Sequence, residues 1–285
     1  MAFINYLIHL AILIGIYSIL VNSLNLVLGF TGLLNLGHVG FFGIGAYTSA
    51  ILALMGVPIP LAMLCGGLLA ALSGAILSLP TTRLKGDYLA LATLGFTFIM
   101  GSIARNWTSL TRGALGIPGI PKIASTNTLF LTIVVILAVA SYFVLSFIVK
   151  SRFGKTLQAI RDDELAAAAL GKNTFLHKTL AIAISAFFAG IAGGLFAHYI
   201  TFIDPSIFGL SDLILLFSMV IVGGLASLPG SAIGTAVVFL IPEPLRFIGF
   251  PSSVIGPVRE MIFALILLLI LIYRPKGILG KVDLR

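Results

Sequence analysis

Nine apolar runs organise this chain. They lie at residues 3–28, 36–56, 60–79, 88–105, 128–149, 179–200, 211–223, 230–242 and 257–273. About 20 apolar residues cross the hydrocarbon core of a bilayer as an α-helix, and the absence of water there forces the backbone to bond to itself. The expected fold is an all-α polytopic membrane protein, a bundle of about 8–10 transmembrane helices. A membrane β-barrel would show short alternating segments, which these runs do not. Several runs are short or interrupted by Gly and Pro, so some helices are expected to be broken or re-entrant. Only 9% of the 285 residues are charged, against about 25% in soluble domains. No polar stretch is long enough for a soluble domain, so residues 1–285 read as a single transmembrane domain. The N-terminal run lacks a preceding basic residue and a clear small-residue cleavage site, and reads as a retained helix.

The charges that exist are placed unevenly. Residues 150–178 form the longest polar stretch and hold six of the seventeen Lys and Arg residues. The tail after Tyr273 adds Arg274, Lys276, Lys281 and Arg285. Both segments, and the turn with Arg83 and Lys85, are expected on the cytoplasmic side. Arg105 to Lys122 and the loops around Asp204 and Glu243 then fall outside. Two crossings within 3–56 would put the N-terminus outside, and three would put it inside. This distribution also accounts for the net charge of +8 without nucleic acid.

Little in the chain suggests catalysis. The one cysteine, Cys65, permits no internal disulfide, and the four histidines lack metal-ligand spacing. There is no P-loop and no arrangement of acids, or of Ser, His and Asp, for an intramembrane enzyme. A transport role with no metal and no cofactor is expected. Asp87, Asp204, Asp212, Glu243, Glu260 and Asp283 read as loop or segment-end residues, which argues against self-powered proton coupling.

Candidate functional residues lie in two Gly-rich segments and one loop. Gly37, Gly40 and Gly43 recur every three residues, with Gly29 and Gly32 continuing the spacing, as expected for a stripe of close helix packing. Asn35 and His38 fall within this segment. His38 is a path candidate because an ionisable residue in a membrane is expensive; its alternative role is a neutral brace bonded to a backbone carbonyl. Gly32-Leu-Leu-Asn-Leu36 is echoed by Gly224-Leu-Ala-Ser-Leu228, which suggests an inverted repeat. Gly223, Gly224, Ser227, Thr48 and Ser218 join Asn35 and His38 as candidates for the translocation path or for helix packing. In the loop, Gln158 to Leu170 reads as one helix ended by Gly171, with an alanine-rich side suited to a groove on a partner.

That loop carries a resemblance. Ala166-Ala167, three residues, then Gly171 resembles the Glu-Ala-Ala-x-x-x-Gly coupling loop of ABC-importer permeases, with Leu165 at the Glu position and Glu164 one place earlier. The blocks at 29–50, 83–96, 116–121, 154–171 and 219–234 together resemble LivM-type permeases of branched-chain amino-acid ABC importers. The resemblance implies that Arg161, Asp162, Asp163, Glu164, Leu165, Ala166, Ala167 and Gly171 form an ATPase-coupling segment. It also implies a LivH-type permease partner, two cytoplasmic ABC ATPases, an external substrate-binding protein, the cytoplasmic (inner) membrane as location, and alternating access. Urea and short-chain amide importers use similar permeases. A self-contained carrier or channel is the reading outside this class.

Overall fold

The computed structural model describes residues 2–82, 84, 86–243, 252–274 and 276–280. Arg83, Lys85, Lys281, Asp283 and Arg285 lie outside these residues. Each apolar run of the sequence falls on a helix: α1 (Ala2–Leu28), α2 (His38–Leu54), α3 (Ile59–Thr81), α4 (Asp87–Asn106), α6 (Asn127–Lys150), α9 (Thr174–Ile200), α10 (Leu210–Gly223), α11 (Leu228–Leu240) and α12 (Ser252–Tyr273). Between them stand the short helices α5 (Thr108–Thr111), α7 (Arg152–Asp162) and α8 (Glu164–Ala169). Five described helices (α1, α3, α4, α6 and α9) are long and apolar enough to cross a membrane. The helices α2, α10 and α11 are apolar but shorter. The run at 257–273 is preceded by five more helical residues, so position 260 lies inside α12 rather than near its start.

Local chemistry sets the helix ends. Thr126 caps α6 by accepting from the Leu129 N–H, and Lys150 sits in its last turn, where a cation suits the helix dipole. Asn173 caps α9 through the Leu176 N–H. Pro80 falls in the last turn of α3, where its missing N–H weakens the helix just before it ends.

The core is built by close backbone approach. Lipid removes most of the hydrophobic drive for helix association, so packing must supply it. At α2 and α9, a Cβ built on Gly45 would lie 2.1 Å from the Gly190 carbonyl oxygen. One on Gly193 would lie 2.0 Å from the Phe42 oxygen. Gly66 brings α3 to the same junction, with its Cβ position 2.8 Å from the Gly45 oxygen. The tightest backbone contacts thus lie beyond the expected glycine stripe, of which Gly37 faces the α4 backbone, its Cβ position 3.1 Å from the Thr93 carbonyl oxygen. Gly40 and Gly43 face the Phe96 and Phe208 rings, Gly40 also the Thr97 Cα, while Gly29 and Gly32 precede α2.

The helices fall into two related halves. α1 and α9 run antiparallel: His9 Nδ1 is 2.5 Å from the Tyr199 hydroxyl at one end, and the Ser185 hydroxyl donates to the Ser23 carbonyl at 2.6 Å nearer the other. α2 and α3 pack on α9 and on each other, as α10 and α11 pack on α1 and on each other; α4 packs on α2 as α12 packs on α10. This exchange is the signature of an inverted repeat of four helices. The echoed pentapeptides do not occupy equivalent places in it. The first joins the first and second helices of one half, and the second joins the second and third helices of the other.

Contacts also sort the connections by face. Arg161 touches Gly29, and residues 276–280 lie against Gly224, so the 150–178 loop, the end of α1, the α10–α11 connection and the tail share one face. Because 3–56 holds two helices, the N-terminus lies on the other face. On that far face a two-residue ribbon pairs Ile117 with Ile203 and Pro118 with Phe202, tying the 113–121 segment to the connection after α9.

Candidate functional site

The chain leaves helical geometry between α1 and α2, and neighbours hold the break. Gly32 turns it with φ of +73°, a conformation that side chains with a Cβ rarely adopt. A backbone stretch in an apolar bundle needs partners for its N–H and C=O groups. Thr93 and Thr97, one turn apart on α4, supply them. The Leu36 N–H donates to Thr93 Oγ1 at 2.9 Å, and the Thr97 hydroxyl donates to the Leu36 carbonyl at 3.0 Å. The Asn35 side-chain oxygen accepts from the Gly37 N–H at 2.9 Å, while its Nδ2 has no hydrogen-bond partner among the described residues.

His38 begins α2 and is fully buried. Its Nε2 lies 2.9 Å from Ser23 Oγ and 3.2 Å from the Leu20 carbonyl oxygen, so the ring is held against α1. Ser185 joins this group through the Ser23 carbonyl. The arrangement links α1, α2 and α9 by side chains that have no water to fall back on.

A second break separates α10 from α11. Gly224 has φ of +109° and Ala226 has φ of +57°, an unusual conformation for alanine. Asn25 of α1 holds it from four sides. Its Nδ2 donates to the carbonyls of Gly224 (3.2 Å) and Ser227 (3.1 Å) and to Ser231 Oγ (2.6 Å), and its Oδ1 accepts from the Ala226 N–H (3.0 Å). Ser227 caps α11 by accepting from the Gly230 N–H. Gly223 packs against the Gly230 backbone, and the Ser218 hydroxyl donates to its own helix at Ile214. The Ile278 and Leu279 N–H groups close the far side of the break on the carbonyls of Val222 and Gly223.

The expected helix from Gln158 to Leu170 is two helices. Asp163 is extended (φ −156°, ψ 106°), and its carboxylate accepts from the Leu165 and Ala166 N–H groups at 2.9 and 3.0 Å. An aspartate competes well for such N-cap bonds, which is why the helix restarts there. At the other end Gly171 has φ of +76°, and the bonds from Gly171 to Ala168 and from Lys172 to Ala167 form a Schellman stop.

Besides burying Leu157 among Leu26, Phe30 and Leu145, the segment makes two polar ties to the bundle. Arg161 Nη1 donates to the Gly29 carbonyl at 3.0 Å, at the C-terminal end of α1, where a cation meets the negative end of the helix dipole. Its guanidinium also pairs with Asp162 at 2.8 Å. The Glu164 carboxylate lies 2.5 Å from Lys178 Nζ on α9, and the lysine side chain is 95% buried. Glu164 is thus engaged inside the chain. Ala167 is buried, whereas Leu165 and Leu170 are 74% and 80% exposed, so the outer face of α8 presents two leucines beside its alanines.

Thr48 lies elsewhere, on a pocket between α2 and α4 at the far face, with Gly40 and Gly43. The sequence candidates therefore separate into the two breaks and the loop, which meet near Gly29, and this pocket. Sequence reasoning passed over Asn25, Thr93, Thr97 and Lys178. The detectable signals were an asparagine inside an apolar run and two threonines at helical spacing. The lysine's partner is distant along the chain.

Comparison with known proteins matches residues 6–272 to the family described as branched-chain amino acid transport system, permease component. The chain belongs to this permease family. The LivM high-affinity branched-chain amino acid permease protein of Escherichia coli K12 is 33% identical, over 95% of this chain and 69% of that protein. A probable LivM of Methanocaldococcus jannaschii is 28% identical over 94% of this chain and 91% of its own length. The E. coli LivH permease is 25% identical over 93% and 91%. A branched-chain transport permease is a multi-pass membrane subunit, which agrees with the helices above.

Proposed function

We propose that this permease carries branched-chain or other apolar amino acids across the cytoplasmic membrane as one subunit of an ATP-driven importer. Its partners in this reading are a LivH-type permease, two cytoplasmic ABC ATPases and an external binding protein. The observation that carries it is the match to LivM proteins over nearly the whole chain, more extensive in identity than the match to LivH. The α7–α8 segment supports it: a short surface helix with exposed leucines, tied by Arg161 and Glu164 to α1 and α9. ATPase closure would push this helix, and the two ties would deliver the motion to both halves of the repeat. The breaks then serve as the points where helices change angle. Residues 1–285 act as one permease domain, with 150–178 as its coupling loop.

The test is purification of the tagged chain from native membranes in mild detergent, with mass spectrometry of what accompanies it. Two P-loop ATPases and a second permease are expected, and proteoliposomes of the assembly take up leucine, isoleucine or valine on ATP addition. Urea uptake without amino-acid uptake would replace the substrate. Transport by the isolated chain alone would overturn the importer reading.

A further inference from the structure

A concavity of about 480 Å³ lies where the end of α6, α7 and the two helix breaks meet. Phe30, just after α1, and Ala226, in the α10–α11 break, line it. The breaks touch here: a Cβ built on Gly29 would lie 2.3 Å from the Ala226 nitrogen. The polar lining is Lys150, the last residue of α6, with Lys155, Gln158 and Arg161 of α7. The last three recur every three residues and so share one side of their helix.

The charges of the loop are sorted by sign around this opening. Lys150, Lys155 and Arg161 line it, and no carboxylate does so among the described residues. Asp162, Asp163 and Glu164 line the neighbouring concavity beside Gly32 instead. Arg161 reaches Asp162 and the Gly29 carbonyl with three of its five N–H groups, which leaves two. Lys150 and Lys155 have neither an ion-pair nor a side-chain hydrogen-bond partner among the described residues. The preference of cations for this face of a membrane protein accounts for their number. It does not account for their convergence on an opening that the acids avoid. Such an opening suits an anion with several acceptor oxygens, as a phosphate group has.

The surface of α6 indicates what carries the phosphate. Ile136, Val139, Phe143 and Phe147 are 48–78% exposed and lie three or four residues apart, so they form one stripe, which Lys150 continues at the same spacing. The buried residues of α6, Phe130, Val134, Ser141 and Leu145, lie on its opposite side. From Ile136 to Lys150 the stripe covers about 21 Å, more than the depth of one leaflet in a bilayer core about 30 Å thick. A free phosphate has no use for this stripe. A phospholipid has an acyl chain for it and a phosphate for the opening. We propose that the opening binds the headgroup of an anionic phospholipid from the leaflet on the loop's side, with its phosphate among Lys150, Lys155 and Arg161 and an acyl chain along α6. The site stands whatever solute the permease carries.

Fluorescence quenching by brominated lipid tests it, in the purified full chain reconstituted in phosphatidylcholine. Phe147→Trp places a reporter beside Lys150, and Trp107→Phe removes the chain's one native tryptophan. Both positions are exposed, so folding is not at risk. Each lysine at an anionic lipid surface is worth about fivefold in binding, so the pair gives a preference of about twenty-five-fold. With about one lipid in ten replaced by brominated phosphatidylglycerol, the site is then about three-quarters occupied, against about one-tenth without preference. Brominated phosphatidylcholine at the same fraction quenches only to the lower level. Lys150→Gln combined with Lys155→Gln removes the preference. Lys172→Gln, which neutralises an exposed cation of the same loop outside the opening, leaves it in place. Equal quenching by the two brominated lipids overturns the site. A preference that survives the double variant, or that falls as far with Lys172→Gln, belongs to the whole charged face and also overturns it. Release of the quenching by millimolar glycerol phosphate would assign the opening to a soluble phosphate and overturn the lipid.

Discussion

Replacing Arg161 by alanine cuts one of the two polar ties between the loop and the bundle. The lost bond, 3.0 Å from Nη1 to the Gly29 carbonyl, is charge-assisted and sits at a helix C-terminus. Hydrogen bonds to charged groups contribute about 1.5–3 kcal/mol, and pairing of the same guanidinium with Asp162, whose side chain is 68% exposed, argues for the low end. A tie can bias a two-state element only by its own free energy, so a loss of about 1.5 kcal/mol is worth about tenfold in the coupled equilibrium. Proteoliposomes of the assembly should then show ATP hydrolysis still stimulated by loaded binding protein, with about tenfold less amino acid imported per ATP. Asp162→Asn, which leaves the Gly29 bond in place, should transport near normally. Equal import per ATP in Arg161→Ala and in the unaltered chain, at equal expression, would refute the assignment of Arg161 as a tie.

Three further outcomes follow from the geometry. Asn25→Ala strands the Gly224 carbonyl and the Ala226 N–H in the bundle, and should lower stability by about 2–5 kcal/mol, read as an earlier thermal transition in fluorescence-detected size exclusion. Gly45→Val drives side-chain atoms into the Gly190 backbone and should abolish folded protein in the same assay, whereas Gly101→Ala should be neutral or slightly stabilising. Leu165→Arg alters an exposed side chain and should leave the subunit's thermal transition unchanged while weakening co-purification of the ATPases. Ala167→Arg is a poor probe of the same contact, because Ala167 is buried in the chain itself.

How much was legible beforehand differs by element. All nine apolar runs became helices, because exclusion from water leaves an apolar segment no other way to satisfy its backbone. The stop at Gly171 was equally legible, since a Schellman turn needs only the local residue. The unbroken helix expected at 158–170 failed at Asp163, where good helix propensity lost to a carboxylate able to cap the next turn. The glycine spacing at 37, 40 and 43 was visible, but its partners were not: it meets the Phe96 and Phe208 rings and the α4 backbone at Thr93 and Thr97, and the tightest backbone contacts between α2, α3 and α9 fall on Gly45, Gly66, Gly190 and Gly193.

By itself, then, the sequence determined that this is a membrane helix bundle of the branched-chain permease family, where its helices lie, and which loop carries its charge. Those properties are sums over local hydropathy, charge and block similarity. The pairing of α1 with α9, the hold of Asn25 on residues some 200 positions away and the tie from Arg161 to Gly29 were decided by the tertiary structure alone. Each depends on which helix faces which. In a lipid environment that choice is set by close packing and buried hydrogen bonds between distant residues, and neither leaves a periodic trace along the chain.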